Sequence, residues 1–76
     1  DGQFIVDALT PIEEFNTQFG ANFPDDEYDT IAGYIAAVIG HLPETGEELT
    51  IGRFHFQVGH ADSRRIHRFI VSIHGE

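Results

Sequence analysis

The sequence predicts an α+β domain of two layers, with two helices packed on one face of a small antiparallel sheet in the order β-α-α-β-β-β. Three observations carry that reading. Ile31, Tyr34, Ile35, Val38, Ile39 and Leu42 recur at i, i+3, i+4, i+7, i+8 and i+11, one apolar stripe of an α-helix. Phe54, Phe56 and Val58 alternate with His55, Gln57 and Gly59, the period of a half-buried strand. Phe69, Val71 and Ile73 repeat the alternation near the C-terminus.

Taken in order, Gln3–Ala8 is β-branched and aromatic at its centre (Phe4-Ile5-Val6) and is expected to be a strand. Thr10-Pro11-Ile12-Glu13 announces a helix: Thr10 as N-cap, Pro11 as first residue, Glu13 closing a capping box. Ile12, Phe15 and Phe19 form its apolar stripe, and Gly20 is placed to end it in the left-handed conformation. Residues 21–28 connect, with Phe23 extended before Pro24 and available to pin the loop to the core.

The central helix should then run from an Asp29 N-cap to just before Pro43. It holds no Asp, Glu, Lys or Arg between Thr30 and Leu42, and its second face is the small set Gly33, Ala36, Ala37 and Gly40. A helix without a charged face is usually covered on more than one side. It is therefore predicted to be the most buried element, with Ile31, Ile35, Val38 and Ile39 on the sheet, and self-association into a homodimer is expected through the remaining apolar surface. After the turn cluster Pro43–Glu47, Glu48–Ile51 is a short strand, Gly52-Arg53 a tight hairpin and Asp62-Ser63 a second turn. Ile66 is out of phase with Phe69, so a bulge near His67-Arg68 is needed to bring it inward. By strand parity His55 and His60 should point to opposite faces, with His67 across the sheet from His55 or Gln57.

Seventy-six residues and 41% hydrophobic content fit one folded domain with a small core. The absence of Cys removes disulfides and thiolate chemistry, and suits a cytosolic compartment. No run approaches the roughly 20 apolar residues of a membrane span, so direct membrane insertion is not expected. The chain starts at Asp1 and contains no Met, which reads as a piece of a longer protein. A net charge of −9 disfavours nucleic acid and anionic membrane as partners. The charge is also unevenly spread. Residues 1–52 hold eleven of the thirteen acids and no Lys or Arg, while all four Arg and four of the five His follow. The acids must repel one another locally or face the basic segment across the fold.

Three clusters are candidate sites. Asp25, Asp26, Glu27 and Asp29 offer oxygen ligands suited to Mg²⁺ or Ca²⁺, but without the alternating spacing and turn glycine of an EF-hand; the competing reading is a solvated loop favouring the next helix N-terminus. Arg64, Arg65 and Arg68 could hold a phosphate, as in an adenine nucleotide; the competing reading is that they neutralise the acidic half or decorate the sheet. The five His invite a transition metal such as Co²⁺, against a reading as surface imidazoles. No catalytic function is expected. There is no Lys, Cys, Gly-x-Ser-x-Gly, P-loop or Gly-x-Gly-x-x-Gly, and Ser63 sits in a turn without a paired base.

A wider pattern joins these segments. Asp1-Gly2 leads into Phe4–Asp7; Thr10-Pro11-Ile12, Phe23-Pro24 and an acidic pair follow. Tyr28-Asp29-Thr30-Ile31-Ala32-Gly33 opens a helix ending Gly40-His41-Leu42-Pro43. Gly46-Glu47, Gly52 with Phe54-His55-Phe56-Gln57-Val58, Ala61-Asp62 and Arg64-Arg65-Ile66 complete the set. Across nearly its whole length the chain resembles the CorC/HlyC transporter-associated domain, and Tyr28–Gly33 is the most specific part. The resemblance implies a non-catalytic module on the cytoplasmic side of the membrane. It would be joined to a CBS-domain pair and a membrane domain of magnesium and cobalt efflux or hemolysin-like proteins. It also implies, by fold analogy alone, binding of flavin adenine dinucleotide. It defines no catalytic residues to carry over.

Overall fold

The computed structural model describes residues 2–74, so Asp1, the first residue of the pattern above, lies outside the described residues. The elements are β1 (Gln3–Asp7), α1 (Ile12–Phe19), α2 (Ile31–Ile39), β2 (Glu48–Ile51), β3 (Phe54–Ala61) and β4 (Ile66–Ile73). The four strands form one antiparallel sheet in the order β1-β4-β3-β2. The two hairpins are local, and β1 adds itself beside β4 at the other edge. The fold is the two-layer α+β arrangement that the periodicities predict.

One sheet face is the core. Val6, Phe54, Phe56, Val58, Ile66, Phe69 and Val71 are buried against Ala8, Ile12 and Phe15 from the β1–α1 segment and Ile31 and Ile35 from α2. Alternation along each strand puts these residues on one side. Phe15 is the hub: its ring lies 4.6–5.9 Å, centroid to centroid, from Phe19, Phe23, Phe54 and Phe56. Phe23 does pin the α1–α2 connector to the core, stacking on Phe15 at an interplanar angle of 11°. Asn16 holds it there. Its side chain donates to the Phe23 carbonyl at 2.9 Å and accepts from the Phe23 N–H at 3.0 Å.

The helix starts differ from expectation. The N-cap of α1 is Pro11, in extended conformation and without a side-chain cap, so the Thr10–Glu13 capping box does not form. The reason is a backbone exchange with the start of α2. Ile12 donates to the Asp29 carbonyl and Ile31 to the Thr10 carbonyl, each at 3.0 Å, while Pro11 and Thr30 form an isolated bridge. The free donors of both first turns are thereby partly satisfied by main chain. Thr30, not Asp29, caps α2, with its Oγ1 accepting from the Gly33 N–H at 3.2 Å.

The central helix is also shorter and less buried than its stripe suggests. Gly40 adopts φ 95°, a left-handed cap that stops α2 at Ile39 and leaves Leu42 outside it. Gly20 closes α1 in the same way, as predicted, with φ 68°. Only Ile31 and Ile35 of α2 are fully buried; Ile39 packs at the edge of the core, and Val38, expected on the sheet, is 50% exposed. β3 and β4 contribute three buried residues each, against two from α2. A two-layer fold gives a nine-residue helix one covered side.

Candidate functional site

The opposite sheet face carries no helix. Along it lie Glu48 and Thr50 of β2, His55 and Gln57 of β3, Arg68, Ile70 and Ser72 of β4, and Gln3, Ile5 and Asp7 of β1, as the register and alternation require. Ile5 is 68% exposed there.

At the end of this face the β3–β4 ladder is irregular. Val58 pairs with Phe69, but His60 pairs with Arg68 and Ala61 with Ile66. Each strand thus carries one extra residue, Gly59 in β3 and His67 in β4. The β4 bulge turns Ile66 inward, as its phase required, and Ile66 is buried. The β3 bulge was not anticipated, although an isolated glycine within a strand pattern is its signal. A Cβ on Gly59 would meet the Arg68 Cγ at 3.3 Å and the Ile70 Cγ1 at 3.4 Å, which explains the glycine. The bulge resets parity, so His60 shares the outer face with His55, contrary to expectation. His67 likewise faces His60 rather than His55 or Gln57, with ring centroids 4.8 Å apart.

The turn that follows is built on Asp62. Its Oδ1 accepts the Arg64 and Arg65 N–H groups at 2.8 and 3.0 Å, and its Oδ2 lies 2.9 Å from the His67 Nε2. The His67 hydrogen bond, then those two backbone donors, hold the Asp62 carboxyl well below the usual carboxylate range. The Glu47 carboxyl is also lowered, first by the Glu44 N–H, against an opposing effect of burial, and then by His41 at 2.8 Å. His55 bridges the Glu48 Oε1 at 2.8 Å and the Thr50 Oγ1 at 3.0 Å.

The arginines partly gather. The Arg64 and Arg65 side chains are exposed at the hairpin tip, and Arg68 stands across from Asp7 on the outer face. Arg65 and His67 line a depression with Asp7, Leu9 and Ile66; Arg68 and His67 line another with Ile5 and Asp7. Among the described residues, the ion pairs within 4 Å all join a histidine to a carboxylate. The acidic half is thus not neutralised by direct arginine contacts. Asp25, Asp26 and Glu27 form an exposed turn in the α1–α2 connector, and Asp29 is exposed beside the α2 cap. Among the described residues, no group of three His, Cys, Asp or Glu side chains converges as a metal site. A depression on α1, lined by Pro11, Glu13, Glu14, Thr17 and Gln18, carries two carboxylates and no cationic side chain, the wrong sign for a nucleotide phosphate.

Comparison with known proteins places this geometry in a group. Residues 1–74 match the profile of the CorC_HlyC family, described as "Transporter associated domain". The chain is 45% identical over 73 residues to the magnesium and cobalt efflux protein CorC of Pasteurella multocida, covering 96% of this chain and 24% of that protein. It is 48% identical over 68 residues to the CorC of Escherichia coli K12, covering 90% of this chain and 23% of that protein. The chain therefore spans about a quarter of the length of these relatives. Among solved structures, the transporter (CorC) associated region from Neisseria meningitidis MC58 superposes with a TM-score of 0.90 at 39% identity, over 93% of this chain and 88% of that one. The CorC_HlyC domain of a Xylella fastidiosa Temecula1 hemolysin, solved in complex with Mg++ and Mn++, gives 0.85 at 28% identity, over 99% of this chain and 91% of that one.

Proposed function

The chain belongs to the CorC/HlyC transporter-associated domain family, and from that membership we propose that it is a non-catalytic accessory domain that regulates a larger cation-efflux protein. The observation that carries the reading is the family match over residues 1–74 together with relatives, named for magnesium and cobalt efflux, about four times as long. No helix among the described residues is long and apolar enough to cross a membrane. The domain is read as acting from the cytoplasmic side, through contacts with a CBS-domain pair and a membrane domain of the same chain. Such a domain acts by contacting two states of its neighbours unequally.

The test is cation flux in vesicles holding the parent protein or a version lacking this domain, at equal amounts. Retained flux with altered dependence on cation or nucleotide supports regulation. Complete loss of flux in a truncated protein that is folded and inserted would make the domain part of the transport machinery. Phe4, Ile5, Leu9, Val38 and Leu42 stay exposed in the monomer and offer apolar surface to a second copy or to the CBS pair. Sedimentation showing only monomer at high micromolar concentration would remove the homodimer.

A second reading is favoured by the Mg++ and Mn++ reported with the Xylella domain. In it the chain binds a divalent cation, with Asp25, Asp26, Glu27 and Asp29 as the hard oxygen donors for Mg²⁺ or Ca²⁺. Its nucleotide counterpart places the phosphate of an adenine nucleotide or flavin adenine dinucleotide on Arg64, Arg65 and Arg68. Titration calorimetry with Mg²⁺, FAD and ATP separates the readings: saturable one-site binding supports a ligand module, and flat traces leave the accessory role alone.

A further inference from the structure

The paired bulges at the end of the β3–β4 hairpin bring together residues that neither reading uses. His60 and His67 stand side by side on the outer face, ring centroids 4.8 Å apart and planes tilted by 38°. The Asp62 Oδ2 lies 2.9 Å from the His67 Nε2. An ionised carboxylate only accepts hydrogen bonds, so Nε2 is the donor in this contact, and in the neutral ring that binds a metal Nδ1 is the nitrogen with the lone pair. Asp62 is itself fixed by the Arg64 and Arg65 N–H groups. A carboxylate bracing one nitrogen of an imidazole whose other nitrogen is free is the outer shell that metal-binding histidines ordinarily have.

We propose that His60 and His67, oriented by Asp62, form a binding site for a borderline divalent cation such as Co²⁺, Ni²⁺ or Zn²⁺, with His67 ligating through Nδ1 and His60 through a ring nitrogen. The spacing fits. A nitrogen about 2.0–2.1 Å from a cation puts its ring centroid roughly 3.2 Å away, so two imidazoles on one ion have centroids roughly 4.5–5.2 Å apart. Sharing one ion requires the His60 ring to rotate, and that ring is exposed. Two nitrogens are the protein's full share, since no third His, Cys, Asp or Glu converges there among the described residues, and water completes the shell. Imidazole selects these ions over Mg²⁺, which prefers oxygen. Arg64, Arg65 and Arg68 oppose a cation, while Asp62 and Asp7 favour it; all five are exposed, so screening at physiological salt moderates both. The site stands on this chain's own geometry and does not depend on the accessory-domain reading.

Solved relatives consist largely of this domain, which makes the 76-residue chain a folding unit suited to direct titration. The chain, produced without a polyhistidine tag, is titrated with Co²⁺ while amide resonances are followed by NMR, and with Ni²⁺ and Mg²⁺ by calorimetry. Saturable one-site binding of Co²⁺ and Ni²⁺ is expected, with paramagnetic broadening centred on residues 59–62 and 66–68 and no competition from equal Mg²⁺. His60→Gln and His67→Gln should each weaken binding by about tenfold or more, and Asp62→Asn, a positioning change, by about tenfold. The circular dichroism spectrum of His60→Gln should not change, because His60 is exposed. Absence of saturable binding, affinity unchanged in both histidine variants, or broadening centred on Asp25–Asp29, His41 or His55 would each overturn the proposal.

Discussion

Asn16 shows how one side chain fixes a long connection. Its amide answers both the N–H and the carbonyl of Phe23, seven residues on, and so seats that ring on Phe15. Removing it leaves two partly buried backbone groups without partners, a loss of about 1–3 kcal/mol. Asn16→Ala should lower stability by that amount in urea unfolding, and an unchanged midpoint would mean that packing alone holds the loop. No periodicity marks Asn16, because its role depends on a partner outside its own helix. Asp62 makes the matching electrostatic case. Its carboxyl titrates below its unfolded value of about 3.8, so the folded state binds its proton less tightly than the unfolded chain does. The associated stability is complete above that value and is lost as pH falls through the folded one. Glu47, lowered in the same direction, adds to the effect. Stability should therefore decline below about pH 4, and Asp62→Asn should flatten the decline. A variant with an unaltered acid limb would show that the turn hydrogen bonds contribute nothing net.

At the scale of elements, the apolar stripe of α2 overstated its own burial. Ile31 and Ile35 are fully enclosed, whereas Val38, on the same stripe, is half exposed. Ile35→Ala should cost about 2–5 kcal/mol through lost burial and a cavity. Val38→Ala should stay within about 0.5 kcal/mol, as surface changes do. Equal effects would place the helix face elsewhere. Period and turn chemistry made the strands, both hairpins and the left-handed end of α1 legible, since each depends on neighbours in sequence. Phe54, Phe56 and Val58 could be assigned to the core from alternation alone. What escaped depends on distant main chain. The helix caps moved because Thr10 and Asp29 lend their carbonyls to each other's helices. The Gly59 bulge reversed the parity of His60, and with it the composition of the outer face. The arginine and acidic clusters were visible as runs of charge, but their surroundings were not. The His60–His67 contact arises only once both strands have slipped by one residue.

At the scale of the whole molecule, the governing quantity is a charge of −9 on a small domain, with acids concentrated in the first two-thirds of the chain. Two arrangements were open. The acids could meet the arginines across the fold, or they could remain unpaired and repel. Among the described residues the close ion pairs are histidine–carboxylate contacts and none joins an arginine to an acid within 4 Å, which favours the second. The two arrangements respond to salt with opposite sign. Raising ionic strength from 0.01 to 0.15 M shortens the Debye length from about 30 to about 8 Å. Screening would weaken cross-fold arginine pairs and lower stability, whereas it relieves repulsion among unpaired acids and raises it. The melting temperature at pH 8 should therefore rise with NaCl over this range. A gain of about 1 kcal/mol would move it by roughly 4–8 °C in a domain of this size. A flat or falling melting temperature would mean that longer-range arginine–acid attraction already balances the repulsion. A rise identifies the acidic surface as an uncompensated field, whose repulsion any bound positive charge would relieve.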